Sequence, residues 1–256
     1  MSARQPLDQA LNEALLAVAD DELVCGHRDS EWCAFAPMIE EDVAFASIAQ
    51  DEMGHARLLY RLLEQRGQGS LDQMAFSRPL AGYKNAQILE RQNAGWAQAI
   101  ARHLVYDLYD DLLTGLYLEA CTVGEVADIA RLVRREERYH LEHQKTWIRH
   151  LGQGGAEARA RMNGALGDVL AESGGLFEDL PAHRALKEAG VLPGLPSELQ
   201  PEFSQRLAAL CLTAGLDRPA APSGGLGGRL GRHTADMEEC LATMAEVISE
   251  APNASW

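Results

Sequence analysis

The sequence predicts an all-α protein, a four-helix bundle with further helices packed outside it. Three observations lead there. Strand signals are scarce, with aromatic residues at 6% and few alternating β-branched runs. Apolar stripes at helical spacing recur along the chain, and the breaks between them are short. The 256 residues are 46% hydrophobic, enough to bury one large core. We therefore expect a single domain over 1–256, with a core bundle at about 6–152 and peripheral helices at about 155–256.

Each element has its own warrant. Leu11, Leu15, Val18, Glu22 and Cys25 follow a 4-3-4-3 step and predict a helix over 6–28. Ile48, Glu52, His55, Leu59 and Leu62 predict a second over 37–66, ended by "QRGQGS". Ile100, Leu104, Asp107 and Asp111 predict a third over 87–120. Val133, Glu137, His140, Gln144, Trp147 and Leu151 predict a fourth over 124–152, after the short break "CTVGEV". Beyond it, "ARARMNGALGDVLAES", "SELQPEFSQRLAALCLTAGL" and "TADMEECLATMAEVISEA" predict three more helices. The glycine-rich "APSGGLGGRLG" lacks the Gly-Lys-Ser/Thr ending of a phosphate loop and follows no strand, so we expect a flexible connection.

A formal charge of -15 sets nucleic-acid binding aside. The five cysteines are dispersed and form no Cys-x-x-Cys pair, which predicts free thiols in a reducing compartment. The N-terminal stretch has no apolar signal core, and no run is long enough to span a bilayer. A cytoplasmic protein without membrane attachment is the expectation.

The informative residues are the polar ones inside the apolar stripes. A carboxylate there is costly unless it is paired or bound to metal. All four long stripes carry an acid, and two carry Glu-x-x-His: Glu52/His55 and Glu137/His140. At that spacing both side chains leave one helix face and converge on one ion. Two such motifs in a chain with 8 histidines lie near chance, so the arrangement carries the argument. Glu22 stands 30 residues before Glu52, and Asp107 stands 30 before Glu137. In antiparallel helix pairs, equal offsets place each lone acid level with its motif. Two such pairs packed together present four carboxylates and two histidines, the ligand set of di-iron or di-manganese bundles.

Some alternatives stay open. Glu22, within "ADDELV", has the reading of an ordinary surface charge. Asp110 and Asp111 rival Asp107. Glu136 points about 100° away from Glu137 and reads as an outer or surface residue. Asp51 either bonds a ligand histidine or faces solvent. His143 and His150 read as surface residues.

The block "HRDSEWCAFAPMIEEDVAFASIAQDEMGHARLLY", then "REERYHLEHQKTWIRHLG" and the tail "GGLGGRLGRHTADMEECLATMAEV", resemble the phenylacetyl-CoA epoxidase (ring 1,2-epoxidase) family of phenylacetate catabolism. The tail and length resemble its PaaC-type subunits, which are structural partners without a metal site. "QDEMGH" resembles the ligand helix of the catalytic PaaA-type subunits, and Glu22, Asp107 and Glu137/His140 fall where the ligands of that type map. The resemblance implies a ferritin-like fold and a centre of two iron ions, or manganese, fed with electrons by a separate reductase. That centre adds one oxygen atom from O₂ across the ring of an acyl-CoA, giving an epoxide. It implies metal ligands Glu22, Glu52, His55, Asp107, Glu137 and His140, with no acid/base residue beyond them. It also implies a homologous oxygenase subunit and a reductase as partners, in a homodimer or hetero-oligomer. Two other functions compete: a scaffold role without turnover, and a stand-alone ferritin-like oxidase or ferroxidase.

Overall fold

The computed structural model describes residues 4–250. Eleven α-helices and no strand occur among them. They are α1 (Arg4–Ser30), α2 (Ile39–Gln65), α3 (Leu71–Phe76), α4 (Gln87–Glu90), α5 (Trp96–Leu113), α6 (Gly124–Gly152), α7 (Ala156–Ala171), α8 (Pro181–Glu188), α9 (Gln200–Ala214), α10 (Ala235–Met244) and α11 (Glu246–Glu250). The all-α class is as expected, and the first, second and fourth predicted helices lie within about two residues of α1, α2 and α6. The third differs. Residues 87–95 do not continue a helix: α4 ends at Glu90, and α5 starts only after Gly95, whose backbone is fully extended. At its other end α5 runs into a π-helical turn, Thr114–Leu118, closed by Glu119 N–H donating to Thr114 O (2.9 Å). The last residue of the final predicted helix, Ala251, lies outside the described residues.

The chain divides into two compact units. One comprises residues 12–92 and 227–256 and holds most of α1, with α2, α3, α4, α10 and α11. Within it α1 and α2 approach closely at Gly26, where an added Cβ would lie 2.9 Å from Glu52 Cβ and 3.0 Å from Ala49 O. Any larger residue would force the two helices apart. The three consecutive acids of α1 are buried and differently employed. Asp20 accepts from Tyr60 Oη–H (2.5 Å), from Lys84 N–H (2.7 Å) and from the Arg78 guanidinium. Asp21 accepts from Ala86 N–H (2.8 Å) and pairs with Arg229 (2.7 Å). Glu22 faces α2.

The glycine-rich stretch is not loose where it enters this unit. Arg229 is buried and also donates to Lys84 O (3.0 Å) and Ala17 O (3.3 Å). Beside it, an added Cβ at Gly228 would lie 2.3 Å from Asn85 O, so only glycine lets the backbones meet. A flexible connection was expected because composition alone does not reveal a buried arginine's partners. Farther on, Glu90 receives His233 Nδ1 (2.5 Å) and both the N–H and hydroxyl of Thr234 (2.8 Å each). These bonds fasten the start of α10.

The other unit comprises residues 1–11 and 93–226. It holds α5, α6, α7, α8 and α9, with α5 packed on α6, α7 and α9. Tyr109, Phe177 and Phe203 form an edge-to-face aromatic chain, with ring centroids 5.2 and 5.1 Å apart. Asp111 on α5 is held by Arg134 of α6 (3.2 Å) and Arg206 of α9 (3.3 Å). Among the described residues, no helix is long and apolar enough to cross a membrane.

Candidate metal centre

All six predicted ligands are buried, none more than 2% exposed. Each unit brings three of them together. On α1 and α2, Glu22, Glu52 and His55 offer oxygen and nitrogen atoms within 4.8 Å of one another. His55 Nδ1 lies 3.3 Å from Glu22 Oε2, so the imidazole reaches across to the neighbouring helix. The equal offset explains the level placement, and Gly26 brings the helices close enough to use it.

On α5 and α6, His140 Nδ1 lies 3.3 Å from Glu137 Oε1 on its own helix. Asp107 on α5 feels both residues. Burial pushes its carboxyl above the ordinary aspartate value, the neighbouring His103 opposes the rise, Glu137 adds to it and His140 opposes it. The rivals are otherwise engaged. Both oxygens of Asp110 accept from Thr114 Oγ1 (3.2 Å each), and Asp111 is held by its two arginines. Asp51, Glu136 and His143 are partly exposed, and His150 is exposed.

Among the buried polar residues not weighed as ligands from the sequence are His103, Asp29 and Gln144. His103 is fully buried, with Nδ1 3.1 Å from Asp107 Oδ1. The signal was available, because His103 precedes Asp107 by four residues on one helix face. Asp29 extends the α1 stripe by one more step of four beyond Cys25, and the Cys25 thiol donates to it (Sγ to Oδ2, 3.6 Å). Gln144 sits in the α6 stripe already noted, and it is completely buried.

The residues fit a metal. Asp107 Oδ2 is buried and accepts no hydrogen bond among the described residues, an arrangement that bound metal would compensate. Carboxylates and imidazoles together form a donor set suited to iron or manganese. The five cysteines are free thiols, and four of them are buried.

The fold and these residues define an all-α, ferritin-like protein whose long helices carry carboxylate–histidine sets able to hold metal. The chain belongs to the phenylacetic acid catabolic protein family, which it matches over residues 2–256. Among its relatives is the C component of the 1,2-phenylacetyl-CoA epoxidase of Escherichia coli (strain K12). The two are 30% identical over 242 residues, which cover 94% of this chain and 97% of that one.

Proposed function

We propose that this chain is one component of a multicomponent di-iron oxygenase acting on phenylacetyl-CoA, and that it carries its own dimetal site. The relative's name supports the complex and the substrate. One observation carries the metal reading: each unit buries an acid on one helix beside a Glu-x-x-His on the next. Glu22, Glu52, His55, Asp107, Glu137 and His140 then hold two iron ions, with manganese as the alternative.

When bound, such a metal pair supplies dioxygen activation and transfer of one oxygen atom to the aromatic ring. The chain's residues hold the ions and keep water away from them. His103 orients Asp107 through its Nδ1–H, and the carboxylates offset the metal charge. Electrons come from a separate reductase, and a homologous oxygenase subunit is the partner. Phe35, Met38, Ile39 and Val43 are exposed together around the start of α2, an apolar surface suited to such a partner. The compartment is cytoplasmic.

A scaffold role is the second reading. It is favoured because the relative is the C component of its epoxidase, and the sequence resemblance pairs PaaC-type chains with a separate catalytic one. Metal analysis after iron-replete expression separates the two. Two metals per chain are expected, and fewer than about 0.3 per chain favours the scaffold. His55→Ala and Glu137→Ala should each empty the site and abolish oxygenation by the reconstituted complex while assembly survives. Full turnover by both variants would leave the scaffold reading standing.

A further inference from the structure

Gln144 is completely buried on α6, and neither its Oε1 nor its Nε2 makes a hydrogen bond among the described residues. An amide left unsatisfied in the interior is costly relative to a satisfied one. A leucine or methionine of similar size would fill much the same volume without that penalty. The residue also lies on the helix face that matters. Glu137, His140 and Gln144 follow one another at steps of three and four, and all three are buried. Side chains on an α-helix lean toward its N-terminus, so the Gln144 amide is carried back over the turn that bears His140. Along the helix it therefore lies about one turn, ~6 Å, from His140 and about two turns from Glu137.

Resting on the function proposed above, we infer that Gln144 binds the thioester carbonyl of the acyl-CoA, its Nε2–H donating to the carbonyl oxygen. The acyl group is an apolar ring joined through one methylene to that carbonyl. With the ring beside the metal ligands, the carbonyl is the polar atom nearest to it. It must enter a buried site where water is scarce, so it needs a donor there. A neutral amide serves better than lysine or arginine, because it is far less costly to bury uncharged.

The same α6 face leads outward. Two turns beyond Gln144, Leu151 lines a groove of about 660 Å³, together with Trp96 of α5 and Ala158, Arg161 and Ala165 of α7. The Trp96 ring meets Trp147 edge-to-face at 5.2 Å. In this inference the remainder of the long thioester extends from Gln144 along the α6 face toward that groove.

The test is titration calorimetry on the metal-loaded full chain with two probes, phenylacetyl-CoA and its carbonyl-free thioether, S-(2-phenylethyl)-CoA. The parent should bind the thioester about tenfold more tightly than the thioether. Gln144→Met, closest in shape, should bind both alike at the thioether level. Its metal content should be unchanged and its Tm no lower than the parent's. Gln144→Leu should repeat this, so the result does not hang on one variant's folding. A variant that keeps the tenfold preference overturns the inference and leaves the amide holding only water. A parent that binds both probes equally does the same without touching the metal reading. A parent that purifies without metal overturns the functional reading and this inference together.

Discussion

In the α1/α2 pair the histidine reaches across to the acid of the neighbouring helix, whereas in the α5/α6 pair it stays beside the glutamate of its own. His55 lies 3.3 Å from Glu22, and His140 lies 3.3 Å from Glu137. The lone acids differ in the same way. Glu22 is met from the next helix, but Asp107 is held from its own by His103. Their surroundings explain the contrast. Beside Glu22, Asp20 and Asp21 are tied to Arg78 and Arg229, which fasten α1 to the chain segments around it. Beside Asp107, α5 passes into a π-helical turn, and its other acids are engaged by Thr114, Arg134 and Arg206. Acid and Glu-x-x-His sets with the same sequence spacing can thus be braced between helices or within them. The packing partners decide which.

The largest effect should come from breaking the brace of the α1/α2 pair. Arg229→Met leaves Asp21 buried without its cation. Burial has already pushed the Asp21 carboxyl up to about 6 despite that cation. We expect a loss of about 3–5 kcal/mol. Hydrogen exchange should quicken in α1 and α2 and stay unchanged in α5 and α6. Adding Asp21→Asn should restore part of the loss. A loss below about 1 kcal/mol would show that the ion pair does not hold this unit together.

A smaller effect tests the close approach. Gly26→Ala should cost about 1–3 kcal/mol, because its Cβ would press on Glu52 and the Ala49 carbonyl. It should also lower the metal content by spreading Glu22 from Glu52. Gly54, on the same pair of helices, has nothing within 4 Å of an added Cβ. Gly54→Ala should therefore be neutral or gain up to about 1 kcal/mol from helix propensity. Equal effects at the two glycines would remove the close approach as the cause of the short distances in this half.

The smallest effect concerns the thiols, one in each unit. Cys33 is exposed and should react promptly with a thiol reagent in the native protein. Burial pushes the Cys211 thiol up to about 11 from an ordinary value of 9.0, so it should react only after unfolding. The folded state then holds this proton more tightly than the unfolded state does. Stability from Cys211 is present below pH 9 and is lost as pH rises toward 11. Denaturation across that window should show a steeper decline for the parent than for Cys211→Ala. Parallel curves would mean that the thiol is not held in its neutral form.

Much of this protein was legible in its sequence. The all-α class and the spans of α1, α2 and α6 follow from a periodicity repeated over many turns, which local errors do not erase. The equal 30-residue offsets marked Glu22 and Asp107 beside their motifs, because helices of constant rise convert spacing into depth. Other features needed the folded chain. The start of α5 was misplaced, because the break at 91–95 is set by an extended glycine and not by a loss of apolar residues. His103 and Asp29 continue legible stripes, but a helix-face position alone does not tell a buried histidine from a solvated one. The glycine-rich tail is loose by composition, yet Arg229 finds partners at Asp21, Ala17 and Lys84, far away in sequence. Periodicity is a local property and survives in one dimension. The pairing of buried charges depends on which distant segments meet, and only the tertiary structure decided that.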